Sequence, residues 1–320
     1  MTTAAPPAFF VGANFPWLQY GGDFGANAWS PGGGLAQRTD GAAIVDRLTR
    51  LSARGVTVLR WFVLCDGRAG ITFEPDGTPA GLDATFLSDF ETALSWTGAA
   101  RLQILPVLLD FHWCHPAKIV NGVQTGGRRR VLADPDRRES LVDTVIAPLL
   151  ARYGREPLIH AWDIINEPEW ITFGAGTWNP FTSLRQSSLR AYVRLVAERA
   201  HALATQPVTV GSASTRWLPL VRGLGLDFYQ AHWYDRFEST HPLATPVAAL
   251  GCDQRVILGE FPSAGSMHTP DVLLSRALGA GYAGALFWSV MAEDSATDLS
   301  NAEAGLTAWS ASAGDDTRLA

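Results

Sequence analysis

Ala161-Trp162-Asp163-Ile164-Ile165-Asn166-Glu167-Pro168 is the stretch from which the fold follows. An apolar, β-branched run ends abruptly in an amide, a carboxylate and a proline. Continuous apolar runs mark strands that are buried on both faces of a parallel sheet. Proline has no N–H to give to a ladder and stops the strand. Asn166 and Glu167 therefore fall at the carboxyl end of a buried strand, where parallel-stranded proteins place their chemistry.

The same pattern recurs on both sides of this stretch. Strands are expected over 9–15, 56–62, 102–109, 161–167, 207–211, 227–232, 255–261 and 284–288. Between and after them, helices are expected over 39–54, 83–96, 136–153, 183–205, 217–223, 242–250, 271–279 and 302–312. In the first helix Ile44, Leu48 and Leu51 share one face, and Gly55 ends it. Eight strands alternating with eight helices, at a repeat of roughly 35–40 residues, predict a (β/α)8 TIM barrel. No linker or low-complexity stretch divides the chain, so residues 1–320 read as a single catalytic domain. The competing α/β architecture, an open doubly wound sheet, wants a glycine-rich phosphate turn directly after an early strand. Gly32-Gly33-Gly34 precedes a helix but does not directly follow a strand.

Composition narrows the function. The chain has 320 residues, 47% of them hydrophobic, and a net charge of −6. That charge leaves no electrostatic footprint for nucleic acid or an anionic membrane, and no apolar run is long enough to span a bilayer. The three cysteines, Cys65, Cys114 and Cys252, are too few and of odd number for a disulfide framework, and free thiols are expected. The first ten residues carry neither the basic nor the apolar region of a secretion signal, which predicts a cytoplasmic protein, or a secreted one if the N-terminus is truncated.

A barrel should carry its functional groups at the carboxyl ends of several strands. Six of the eight expected ends do: Arg60, His112, Asn166-Glu167, His232 with Tyr234, Glu260, and Trp288. In a closed barrel the fourth and seventh strands lie on opposite sides, so Glu167 and Glu260 face each other across the mouth. Two carboxyl groups flanking a cleft suit glycoside hydrolysis, where one protonates the leaving oxygen and the other attacks or stabilises the anomeric carbon.

On Asn166-Glu167-Pro168 and Gly259-Glu260-Phe261, supported by Arg60, His112, His232, Tyr234 and Trp288, the chain resembles the clan A retaining glycoside hydrolases. It is most similar to glycoside hydrolase family 5, the family of cellulases and mannanases. The resemblance covers nearly the whole chain and implies roles by position. Glu167 is the general acid/base and Glu260 the nucleophile. Asn166 binds the sugar 2-hydroxyl, and Arg60 and Tyr234 hold and orient Glu260. His112 and His232 line the sugar subsite, and Trp288 forms its floor. The implied substrate is a β-linked glucan, mannan or derived oligosaccharide. No cofactor is implied, and a monomer is expected. Trp61-Phe62 after Arg60 departs from the smaller residues usual in the family's cellulases, and the stretch 60–67 is more similar to its mannanases.

Tryptophan at strand ends fits a sugar ligand, because indole rings stack on the C–H faces of pyranoses. Trp17, Trp29, Trp61, Trp113, Trp170, Trp178, Trp233 and Trp288 are so placed, with Trp17, Trp113, Trp170 and Trp288 taken as substrate-binding. Trp96, Trp162 and Trp309 read as core. His112, Cys114 and His115 are too tightly spaced for a usual structural zinc, so no metal site is assigned. Arg128-Arg129-Arg130 reads as a solvated loop, and Asp110 and Asp163 as partners behind the site. Two other classes compete: a non-catalytic carbohydrate-binding barrel, which would lack one carboxylate, and a metal-dependent barrel hydrolase, which would need more His and Asp ligands at strand ends.

Overall fold

Strands β1 (Phe10–Asn14), β2 (Val56–Phe62), β3 (Gln103–Asp110), β4 (Trp162–Asn166), β5 (Val208–Ser212), β6 (Tyr229–His232), β7 (Val256–Pro262) and β8 (Gly284–Trp288) pair in sequence order, all parallel, and β8 closes onto β1. This is the (β/α)8 barrel expected from the strand runs. The computed structural model describes residues 9–238 and 242–313. Helices Gly41–Ser52, Phe86–Ala99, Gln186–Leu203, Pro270–Ala280 and Leu299–Ala313 pack around the outside. The expected third helix runs from Pro135 to Tyr153 with one wider π turn at Val142–Ile146. No described helix is long and apolar enough to cross a membrane.

Two excursions are shorter than expected. The helix between β5 and β6 has four residues, Leu218–Val221. Between β6 and β7, of the expected helix over 242–250, only the 3-10 turn Val247–Leu250 forms. Pro242, Pro246 and the turn at Gly251 (φ 63°) leave little room for a regular helix there. Two hairpins were not foreseen, Ile71–Phe73 with Pro79–Leu82 and Lys118–Val120 with Val123–Thr125. The three cysteines are free thiols.

The barrel interior is layered. Val58, Leu105, Phe228, Ile257 and Leu286 fill the bottom, and Phe62, Cys65 and Val107 cap the top. Between these layers lies Arg60, fully buried. It is placed there by strand alternation, which turns Val58, Arg60 and Phe62 to one face.

Alternation alone would turn Glu260 outward. Ile257 points in and Leu258 packs with the outer core, so Glu260 belongs with Leu258. The ladder changes register here: Ala231 pairs with Leu258 and His232 with Glu260, so β7 carries one extra residue. Such a bulge re-aims the following side chains. Gly259 permits it, since a Cβ there would stand 2.4 Å from Gln230 Cγ. A second shift, between Asp163 and Asn166 against β5, lets both of those side chains reach inward although they are three positions apart.

The glycine-rich segment after β1 is structural. Asp23 accepts from the backbone N–H groups of Leu18 and Gln19 and from Trp61 Nε1, and so pins the loop that carries Trp17. Gly34 is needed because a Cβ there would lie 2.1 Å from the Asp23 carbonyl oxygen.

Candidate active site

Arg60 is the hub beneath the site. Its Nε donates to Asp163 Oδ2 (2.9 Å), one Nη to Glu260 Oε1 (2.7 Å) and Asn14 Oδ1 (3.1 Å), and the other to Asn166 Oδ1 (2.8 Å). One guanidinium thus ties together β1, β4 and β7. Asp163 is held in turn by Gln230 Nε2 (2.8 Å) and the Gly211 N–H (3.0 Å). Gly211 has no room for a side chain, because a Cβ would sit 2.6 Å from an Arg60 nitrogen. A buried charge network is tolerable only when fully paired, which this one is on its cationic side.

The two glutamates meet across the mouth, with carboxylate oxygens within 4.8 Å of each other. Glu260 Oε1 takes the Arg60 bond and Oε2 accepts from the Tyr234 hydroxyl (2.7 Å). Glu167 has no cation in contact. Its Oε1 lies 2.8 Å from His232 Nδ1, and its Oε2 accepts from Trp170 Nε1 (2.8 Å). Its backbone sits in the left-handed region (φ 43°, ψ 50°) with its N–H bonded to the Gly211 carbonyl, where Pro168 ends the strand. Such a conformation costs energy in a non-glycine residue and is concentrated at functional sites.

Burial pushes the Glu167 carboxyl up to about 7, with the Asp110 charge adding to the rise and the Trp170 N–H opposing it. Burial raises Glu260 too, against the pull of His232, Arg60 and Tyr234. The direct guanidinium contact makes Glu260 the first of the pair to ionise. Burial drives the His232 imidazole down to about 4, so it bridges the two carboxyls as a neutral ring, 2.8 Å from Glu167 and 3.4 Å from Glu260.

Above this pair lies a cleft of about 360 Å³. Trp17, His112, Asn166, Tyr234 and Trp288 line it together with both glutamates and Trp170. Trp17 and Trp288 meet edge to face at 5.9 Å, and Trp288 Nε1 donates to Asp294. His112 Nδ1 is 2.7 Å from Asp110 Oδ2, which also accepts from the Tyr20 hydroxyl (2.6 Å), while Asp110 Oδ1 accepts from Asn166 (3.2 Å). Although burial opposes its charge, His112 is raised by the Asp110 carboxylate.

Three of the sequence-derived substrate contacts are placed elsewhere. Trp113 is fully buried against Phe73, and its expected role in binding sugar is corrected to core packing. It lies on the one-turn helix after β3, which rolls it away from the mouth. Arg60 and His232 are fully buried and do not line the cleft; they act on the carboxyls from below. Trp61 is likewise core. Of the arginine run, Arg128 packs its guanidinium over Phe73 at 3.6 Å and Arg129 opens a short helix, so the segment is no simple solvated loop.

Several cleft residues had no sequence signal. Asp294 stands in a loop without a motif, and so does Tyr20, which holds Asp110 without lining the cleft. Arg216 and Trp217 follow β5, whose end read as bare, and Arg236 and Phe237 follow Tyr234 closely enough that position alone points to them. Among the described residues, one group has metal-ligand spacing, Glu167, His232 and Glu260. Its ligand atoms are already engaged by Arg60, Tyr234 and Trp170, and a buried guanidinium at 2.7 Å repels a second cation.

In its closed parallel barrel, with two carboxyls of unequal environment facing across the mouth, the chain resembles the (β/α)8 retaining glycoside hydrolases of clan A, and family 5 in particular, over nearly its whole length. No protein-family model matches the chain. In sequence it is similar to a mannan endo-1,4-β-mannosidase of Mytilus edulis, 26% identical over 320 aligned positions that cover 88% of this chain and 83% of the relative. In structure it is similar to an endo-1,4-β-mannanase from Eisenia fetida, with a TM-score of 0.76, 24% identity and coverage of 94% of this chain and 90% of the other. A β-1,4-D-mannanase from Cryptopygus antarcticus superposes equally well, with a TM-score of 0.76, 21% identity and the same 94% and 90% coverage.

Proposed function

We propose that this protein is a retaining β-glycoside hydrolase that cleaves β-1,4-linked mannan within the chain. The observation that carries this reading is the unequal setting of two close carboxyls. Glu260, against Arg60 and Tyr234, is the group that ionises first; Glu167, raised to about 7, keeps its proton. Oxygens within 4.8 Å suit the spacing of retaining enzymes, roughly 5–5.5 Å between carboxyl groups, rather than the roughly 6.5–9.5 Å that leaves room for an inverting water.

The chemistry follows in two steps. A Glu260 oxygen attacks the anomeric carbon as the bond to the leaving oxygen breaks, and Glu167 gives that oxygen its proton. Glu167, now ionised, takes a proton from water as the water attacks the same carbon and releases Glu260. Two inversions retain the configuration. Asn166, fixed by Arg60 and Asp110, offers its amide to the sugar, and Trp17 and Trp288 supply the apolar wall. Mannan as the substrate is supported by the names of the relatives.

The test is hydrolysis of soluble mannan, cellulose derivatives and xylan side by side. Expected is fastest release of oligosaccharides from mannan. Preference for either other polymer would overturn the substrate assignment.

A further inference from the structure

Beyond Trp170, the loop after β4 exposes three more large rings. Trp170 is 38% exposed, Phe173 39%, Trp178 74% and Phe181 85%. Leaving such rings in water forfeits the stabilisation their burial would bring. The loop is not loose. Phe173 N–H donates to the Leu184 carbonyl, Leu184 N–H to Ile171, Gly174 N–H to Thr177 and Gly176 N–H to Glu169, so the segment is laced back onto the turn that carries Trp170. Gly176 lets the loop press against that turn, since a Cβ there would stand 2.7 Å from the Glu169 carbonyl oxygen. Phe173 and Trp178 meet edge to face at 5.8 Å. A hydrogen-bonded loop that holds its aromatics outward is a preorganised surface.

We propose that Phe173, Trp178 and Phe181 form an outer platform that receives the part of a β-linked mannan chain extending past Trp170, on the side of the cleft where Glu167 stands. This rests on the reading of the chain as a mannan hydrolase. Three observations favour a sugar chain as the occupant. The loop that carries the platform is hydrogen-bonded to the turn that carries Trp170, a cleft residue whose indole N–H binds the acid/base. The rings are separated along the chain by small and polar residues, among them Gly174, Thr177 and Asn179. Such spaced rings suit successive pyranose faces, and three rings of roughly 150–250 Å² each when fully exposed, here only partly so, together fall short of the roughly 800 Å² per partner of a stable protein interface. Arg129, Arg130 and His115 border Phe181 and offer N–H donors to hydroxyls.

The test is Trp178→Ala/Phe181→Ala, two exposed positions outside the catalytic machinery. On polymeric mannan kcat/KM should fall about tenfold, the size expected from losing ring stacking, while kinetics on an aryl β-mannobioside stay as in wild type. Native electrophoresis through soluble galactomannan, in a Glu260→Ala background that spares the gel, should show retardation that the double substitution removes. Unchanged polymer kinetics, equal losses on polymer and aryl substrate, or retardation that persists or was never present would each overturn the platform. A wild type that is retarded but cleaves neither substrate would instead overturn the hydrolase reading. A variant that loses galactomannan retention yet gains monomeric behaviour from an oligomeric wild type would assign the rings to a self-interface and overturn the sugar platform.

Discussion

Glu167 and Glu260 are the same side chain in two surroundings, and the surroundings divide the labour. Glu260 touches a guanidinium and a phenol; Glu167 touches an indole N–H and a neutral imidazole. With Glu167 raised to about 7, kcat/KM should fall on the alkaline side with an apparent pKa near that value. A pH–rate profile with its basic limb near the ordinary 4.5 of a glutamate would contradict the assignment. The same shift appears in stability. The folded chain holds this proton more tightly than the unfolded chain, so ionisation of Glu167 subtracts stability as pH climbs from 4.5 through about 7. Glu167→Gln cannot ionise and should gain on wild type over that interval. The gain should reach about 3 kcal/mol above pH 7 and vanish below 4.5, as read from denaturant unfolding at several pH values. Both glutamates were legible in the sequence because each ends an apolar run. Their division of roles came only through the family resemblance, because the unequal ionisation depends on contacts with Arg60, His232 and Trp170 that no spacing encodes.

Strand ends are placed by more than strand pattern. The β-branched run 56–62 reads as a strand with the bounds the barrel shows, and alternation correctly turns Arg60 inward beside Val58. Alternation fails at β7, where the extra residue at Gly259 rotates Glu260 into the mouth. A glycine inside a strand run is the sequence mark of such a bulge, though it does not say which neighbour is re-aimed. Gly259→Ala should therefore cost about 1–3 kcal/mol by forcing the new methyl onto the buried Gln230. It should also lower kcat more than it raises KM, because Gln230 holds Asp163, which holds Arg60. Wild-type stability and kcat in this variant would show that the bulge does not position the nucleophile. The helix over 242–250 failed for a related reason: apolar spacing was present, but prolines at 242 and 246 limit it to one turn.

The barrel was readable because a repeating strand–helix pattern constrains every part of the chain at once. The cleft walls were less so. Trp17, Trp170 and Trp288 reach the cleft and Trp113 does not, and that difference turns on one short helix after β3. Loops are positioned by distant anchors such as Asp23 and Asp110, which sequence spacing does not reveal. The one group with metal-ligand spacing in the described structure is the catalytic set itself, already engaged by hydrogen bonds. Dialysis against a chelator should leave hydrolysis unchanged. Loss of activity restored by a divalent ion would place an ion between Glu167, His232 and Glu260 and displace the double-displacement mechanism.

The double displacement requires a covalent sugar on one named oxygen pair. A 2-deoxy-2-fluoro mannoside with a good leaving group slows the second step and lets that adduct accumulate. Intact-mass and peptide mapping of the trapped protein should show one added sugar, carried by Glu260. A label on Glu167, or turnover with no adduct and an inverted first product, would contradict it.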